Sequence, residues 1–543
     1  MRIKANFVDI KNKMVFPAQI CVENNQIISI EKIDETLSTY ILPGFIDAHI
    51  HIESSMLVPS EFARLAVIHG TVATVSDPHE IANVLGIPGI EFMLDNAENV
   101  NFKFNFGVSP CVPATTFETS GATLDVEKVK TLLSYSKLNY LSEVMAFPSV
   151  INDDAEILAK IAVAKSLNLP IDGHAPGLRG ASLQKYIDAG ISTDHEASTY
   201  AEAKEKLEYG MKILIREGSA AKNFEALSPL IDVYAEHLMF CSDDRHPNDL
   251  LKEHINALVV RSIAKGHNLF DVLQIACLNP IEHYHLNVGQ LRVGDSADFI
   301  EVKDLIDFEV LRTVINGETV YQYKKTKMAS IPIEPINNFH AQKTVVSDFI
   351  FESRCDAVEV IQAIDHELFT KEKKYHIHQD GNFSVDISED ILKIAVVNRY
   401  KHSKPAVAFV SGFGLTKGAI ASCVAHDSHN IIVVGCSDEE ISDAVNLIVS
   451  SKGGISAVYN NESIHLPLEV AGIMSSDDAF SVATSYEKID YFVKNVLNSS
   501  LSTPFMTLSF MALLVIPELK LSDKGLFDGK AFHFISTCVN TID

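Results

Sequence analysis

One short stretch constrains the chain most: residues 41–56, ILPGFIDAHIHIESSM. Its first half is apolar and opens with Pro-Gly, the pattern of a buried strand, and Asp47, His49 and His51 follow at every second position. Side chains two apart on an extended backbone leave the same face, so these polar groups share one side of the strand end. Two imidazoles so related can reach a single cation, and imidazole suits zinc, iron, nickel or copper. Incidental histidines on a surface strand would be the blander explanation. A buried strand, however, seldom ends in clustered polar groups without a use for them. Barrel enzymes carry their chemistry at the C-terminal ends of strands, where this HxH stands.

From here a rhythm of strand, loop and helix repeats. Strand starts at Ile41, Thr71, Phe102, Tyr140, Leu169, Ile191, Met211 and His237 predict the eight βα units of a closed parallel barrel over residues 43–284. An open doubly wound sheet shows the same alternation. Polar groups of metal-ligand type at strand ends across the whole set favour the ring. Within the first unit, Ser60 is expected to cap a helix whose apolar face uses Phe62, Leu65, Ala66 and Ile68 and which closes at Gly70. Residues 1–42 show short alternating apolar runs broken by Asn24-Asn25, a hairpin signal. Residues 289–321 return to short strands with Gly-Asp and Asn-Gly turns. The two flanks, 1–42 and 285–335, therefore read as one small composite β-sandwich. Residues 324–338 look like a linker, and 340–543 form a third unit of mixed pattern. The expected class is α/β: a (β/α)8 TIM-type barrel, the composite β-domain and a C-terminal α/β domain.

Composition narrows the function classes. A net charge of −26 argues against sequence-independent nucleic-acid binding and against anionic membranes, leaving a small nitrogenous substrate open. Eight scattered cysteines without a CxxC pair favour reduced thiols in a cytoplasmic protein over a disulfide framework. The opening MRIKANFVDI lacks the apolar core of a signal peptide. The apolar run 505–516 is interrupted by Thr507 and Ser509 and followed by Pro517, short of the ~20 residues of a membrane span. It reads as a core helix or strand pair in a soluble protein.

Collected from the strand ends, the metal-type residues are His49, His51, Glu143, His174, His195 and Asp243. Each singly has a structural explanation, but six in succession resist independent ones. Four imidazoles and two carboxylates suffice for two divalent cations sharing a bridging carboxylate and a bridging water. Glu143 suits the bridge, because each of its oxygens can bind one metal. Asp243 can bind a metal and also accept the attacking water's proton. Further candidates for touching substrate are Glu53 and Ser54 after the HxH, and Asp77, His79 and Glu80 at the second strand's end, where Asp-Pro also forms turns. Arg216 and Ser219 end the seventh strand, and Asp244 stands beside Asp243, where the pair also reads as a helix cap. His426, Asp427 and His429 in VAHDSHNIIVVG read as a third metal site or as a turn network, in a loop expected to cover the barrel mouth.

The IDAHIHIE stretch, with a histidine on strands five and six and an aspartate on strand eight, resembles the amidohydrolase superfamily. Closer motifs are similar to the bacterial-type adenine deaminases: GFIDAHIHIESSM, VSDPHEIANVLG, LSEVMAFP, DGHAPGLRG, REGSAAKN, CSDDRHP and, in the third unit, GFGLTKGAIASCVAHDSHNIIVVG. That resemblance implies hydrolysis of adenine to hypoxanthine and ammonia, in purine salvage. It implies a centre of two divalent metal ions, manganese first with iron or zinc as alternatives, with His49, His51, Glu143, His174, His195 and Asp243 as ligands. It also implies a homo-oligomer acting on a small molecule, with neither nucleic acid nor membrane as partner. A hydroxide bridging the metals is expected to attack C6, an atom that unrelated metal-dependent deaminases also attack. Asp243 would take the proton, and Glu143 or another nearby carboxyl would protonate the departing amine. Glu143 stands where many amidohydrolases carry a carboxylated lysine, which agrees with deamination and speaks against simple amide-ring hydrolysis. The alternatives are a cyclic-amide hydrolase of the dihydroorotase or hydantoinase kind, and a non-catalytic scaffold, whose mark would be lost ligands.

Overall fold

The computed structural model describes residues 1–351, 355–377 and 383–540. Its eight barrel strands are β1 (Phe45–Ile50), β2 (Thr71–Ser76), β3 (Lys103–Val108), β4 (Leu138–Val144), β5 (Ile171–Gly173), β6 (Thr193–Asp194), β7 (Lys212–Arg216) and β8 (Leu238–Cys241). β1 to β5 pair in order in one parallel arc, and β6 to β8 in another. The arcs meet where the Ser192 amide donates to the Ile171 carbonyl at 2.9 Å. They meet again where Asp243 N donates to His49 O at 2.9 Å. The ring is closed. β1 and β2 are buried at every position, and their near-continuous apolar or β-branched runs are what two covered faces require.

The first barrel strand starts at Phe45 rather than Ile41. Tyr40–Pro43 is a separate strand, parallel to Arg2–Asp9 and antiparallel to Phe299–Val302 in an eight-stranded sheet built from both flanks. The chain crosses from that sheet into the barrel at Gly44, where a Cβ would stand 2.2 Å from Val72 Cγ1. The hairpin Met14–Glu23 with Gln26–Lys32 turns at Asn24 and Asn25, both at positive φ, as a two-residue turn of the primed type demands. A second correction concerns Ser60. The helix Pro59–Ala66 begins two residues earlier than a Ser60 cap requires, with Val58 as N-cap and Pro59 in the first turn. Ser60 lies inside that turn, its amide donating to Asn96 Oδ1 at 2.8 Å.

The C-terminal domain is a nine-stranded mixed sheet. Its strand Leu392–Val397 is buried throughout and alternates between two cores. Ala395 and Val397 pack toward the helix Asp438–Ser451, while Ile394 and Val396 join the cluster that also contains Met56, Leu57 and Val108 of the barrel. Barrel and C-terminal domain thus share one core. Polar ties reinforce the contact: Arg64 pairs with Glu61 and, at 2.6 Å, with Asp478, and Tyr486 OH lies 2.6 Å from His246 Nδ1. The apolar run near the end forms a fully buried helix, Pro504–Phe510. Cys355 and Cys538 are joined by a disulfide across 183 residues, against the expectation of thiols only; the other six cysteines are unpaired. Among the described residues, no helix is long and apolar enough to cross a membrane.

Candidate metal centre and active site

The strand ends bring the expected residues into one buried chamber. Glu143, near the end of β4, is central. Its Oε1 lies 3.5 Å from His51 Nε2, while Oε2 lies 2.9 Å from His174 Nδ1 and 3.2 Å from His195 Nε2. His79 Nδ1 also lies 3.5 Å from Oε1, and His49 Nε2 lies 4.0 Å from Oε2, so one oxygen faces His51 and His79 and the other faces His174, His195 and, more distantly, His49. Asp243, just past β8, brings Oδ1 to 3.2 Å from His51 Nε2 and 3.5 Å from His49 Nε2. His51 Nδ1 lies 3.1 Å from the Asp77 carbonyl, a bond that makes Nδ1 the donor and leaves Nε2 as the ligand atom.

Divalent metal fits this donor set. Both ring nitrogens of His49 and Nε2 of His174 are buried with no hydrogen-bond partner, a cost of about 1–3 kcal/mol each if nothing else satisfied them. The rings of His49 and His195 stack with centroids 4.0 Å apart, bringing nitrogens together without a donor between them. The imidazoles divide: against burial, the Asp243 and Glu143 carboxylates raise His51, Glu196 and Glu143 raise His174, and Glu143 and Glu196 bring His195 up to about 10, protons that a bound cation would displace, while His49 shifts the other way. Burial, then the charge of His195, lowers the pKa of His49 and favours the neutral ring. Burial alone would raise Asp243, but the Arg216 guanidinium and then the nearby His49 and His51 imidazoles hold it well below the usual carboxylate range. Glu143 is likewise held well below that range, by His174 first and then His195, against burial.

A second cluster roofs the first. The loop between strands Ala419–Ser422 and Ile431–Gly435 carries His426, Asp427 and His429. Glu80 is hydrogen-bonded to His426 Nδ1 and approaches His429 Nε2 at ion-pair distance, and His79 Nε2 lies 3.4 Å from Glu80 Oε1 and 3.7 Å from Asp427 Oδ1. Against burial, Glu80 and Asp244 push His426 up to about 9. The apolar wall comes mostly from the C-terminal domain: Leu368, Phe510, Leu513 and Val515, with Met145 from the barrel. Phe510 stacks on His426 at 5.4 Å.

Residues 40–320 match the model of the amidohydrolase family, and residues 367–533 match that of the adenine deaminase C-terminal domain. The chain is 63% identical over 538 residues to an adenine deaminase of Sulfurovum sp. (strain NBC37-1), spanning 99% of this chain and 100% of that one. It is 52% identical over 546 residues to an adenine deaminase of Borreliella burgdorferi, spanning 98% and 99%. With an adenine deaminase of Methanosarcina mazei the identity is 50% over 542 residues, spanning 97% and 98%. The chain belongs to the adenine deaminase family.

Not every candidate reaches the chamber of this family member. Asp47 shares the strand face with His49 but is consumed at the barrel seam, accepting from Ser242 N at 3.0 Å and lying 2.8 Å from His254 Nε2. Glu53 accepts from Ile81 N at 3.2 Å, and burial pushes it up to about 7. Ser219 donates to Asp249 at 2.6 Å and accepts from His246 N, outside the chamber. Ser54 acts through Asp244, donating to its Oδ1 at 2.5 Å. The reading as a helix cap does not hold for the aspartate pair, because His246 is the N-cap of the following helix.

Two residues were not singled out from sequence. Glu196, adjoining His195, pairs with Arg216 and lies 3.8 Å from His174 Nδ1, and with Asp243 it fixes the guanidinium from two sides. Its position beside a strand-end histidine is a usable signal. Lys520 is fully buried and donates to the carbonyls of Leu368 (2.7 Å) and Phe510 (2.9 Å), both of which line the chamber. Burial lowers its pKa to about 7. Nothing near Lys520 in the sequence betrays this.

Proposed function

We propose that the protein hydrolyses adenine to hypoxanthine and ammonia at two divalent metal ions. His49, His51 and Asp243 would hold one ion, His174 and His195 the other, and Glu143 would face both. The observation that carries this reading is the division of the Glu143 oxygens between two imidazole sets, roofed by the domain that the adenine deaminases share. When bound, such ions act as Lewis acids and bring the pKa of a water near neutrality. The chain's own groups do the rest. Arg216 engages Asp243 Oδ2 at 2.5 Å, so Oδ1 faces the imidazoles. The carboxylate is ionised and oriented to take the proton of the attacking water. Glu143, held ionised, suits the bridging position better than the role of acid. Asp244 lines the chamber and burial raises its pKa, so it is the carboxyl placed to hand a proton to the departing amine. Water is consumed, the C6–N bond breaks, and ammonia leaves.

Manganese-loaded protein should release ammonia from adenine, with the ultraviolet change to hypoxanthine, and elemental analysis should find two metals per chain. If adenine is untouched while dihydroorotate or a hydantoin turns over, the cyclic-amide reading replaces this one. Full activity with a single metal would overturn the binuclear centre.

Lys520 supplies a separate check on the wall. Lys520→Met strips two buried carbonyls of their donor, each worth about 1–3 kcal/mol. The wall that it fixes touches substrate rather than metal. The KM for adenine is therefore expected to rise about tenfold, the binding equivalent of ~1.4 kcal/mol, with metal content unchanged and kcat within a few-fold. Lys520→Gln keeps an N–H donor and should recover part of the loss. A variant that lost kcat and metal together would show that Lys520 serves the fold as a whole.

A further inference from the structure

The catalytic chamber is small. Its free volume is about 30 Å³, room for a water or two at the 10–15 Å³ that one requires and far short of a purine. Of the side chains around it, Asp244 and Val515 are half-buried and the others are buried. Adenine therefore needs a wall that moves.

A larger cavity, about 290 Å³, lies at the same end of the barrel. It is bounded by the loop after β3, by the start of the helix Phe147–Ile151 after β4, by Asp154, Glu156, Ile157 and Lys160 of the helix Ala155–Ser166 and its cap, and by Val515 and Phe532 of the C-terminal domain. Val515 belongs to both spaces. Met145 on the chamber side and Ala146 on the other are neighbours in the chain. One layer of side chains divides the two. The partition on the Val515 side lies in the segment between helix Pro504–Phe510 and strand Leu519–Ser522, which forms neither helix nor strand. Single-turn hydrogen bonds shape it, Leu513 N to Phe510 O at 3.2 Å and Ile516 N to Leu513 O at 3.3 Å. Among the described residues no strand ladder holds it, and within residues 511–516 only Val515 is not buried.

We propose that this cavity is a subsite that adenine occupies on its way to the metal centre, with Val515 as the gate. The inference rests on the adenine reading above. The lining has the chemistry of a flat heterocycle's binding place. Phe117 and Phe532, in edge-to-face contact at 5.4 Å, supply aromatic surface, and the Thr115, Thr116 and Ser149 hydroxyls can meet ring nitrogens and the amine. Ala114 lines this cavity and not the chamber.

The test separates rate from affinity. Ala114→Trp fills the cavity without touching the chamber. Stopped-flow binding of hypoxanthine to the manganese enzyme should show association and dissociation both slowed at least tenfold. The equilibrium Kd should stay within twofold, and kcat/KM for adenine should fall with the association rate. Val515→Ala widens the passage and should speed association. Wild-type association rates in Ala114→Trp would overturn the proposal. So would a weakened Kd at unchanged association rate, which means a distorted site rather than an obstructed route. A wild-type enzyme inert toward adenine would sink the functional reading instead, before either variant is made.

Discussion

Glu143→Gln is expected to lower kcat/KM for adenine by at least about 10³-fold and to strip the protein of metal, while the fold survives. The substitution is nearly isosteric, so the size of the effect measures charge and donor character alone. Glu143 is buried, with His51 on one oxygen and His174 and His195 on the other. An amide there loses the negative charge that two cations would share, and it points N–H groups at nitrogens that must be lone-pair donors. Charge stabilisation of this kind is worth several kcal/mol, and each 1.36 kcal/mol is tenfold in rate. The core positions of β4, Tyr140 and Leu141, lie elsewhere on the strand and keep their packing. The measurements are turnover, elemental analysis and circular dichroism on one preparation. Unchanged turnover in a folded, metal-replete variant would mean that another carboxylate bridges.

Much of the barrel was legible because its signals are local. An apolar run ending in polar groups marks a buried strand and its functional end. Starts read at Thr71, Phe102, Tyr140, Leu169, Ile191, Met211 and His237 fall within a few residues of β2 to β8. The first start was misplaced at Ile41 because the apolar run does not pause where Gly44 carries the chain from one sheet to another. Only the packing of Val72 reveals that crossing. Periodicity says which face a side chain takes, and not what waits there. Asp47 has the same alternation as His49 and His51, yet Ser242 and His254, distant in the sequence, claim it for the seam. Ser219 likewise turns to Asp249. The disulfide joins cysteines 183 residues apart with no spacing motif to announce it. Lys520 reads in sequence like any strand lysine, and its work is done on carbonyls of Leu368 and Phe510.

Asp243→Asn should lose about 10²–10⁴-fold in kcat, the range that a positioned general base contributes. Asp243 is tied at both oxygens, Oδ2 by Arg216 and Oδ1 toward His49 and His51. An asparagine oxygen can still accept from Arg216, so the side chain keeps its place and the guanidinium keeps Glu196 as a partner. What disappears is the proton acceptor. Asp243 would be one ligand among several for its ion, so metal occupancy should fall much less than kcat. That contrast distinguishes the base from a ligand that merely holds metal. Titrating the variant with manganese should restore occupancy and leave turnover low. Recovery of kcat at high manganese would assign Asp243 to metal binding alone and move the base to another carboxylate, with Asp244, which also lines the chamber, as the nearest in the chain.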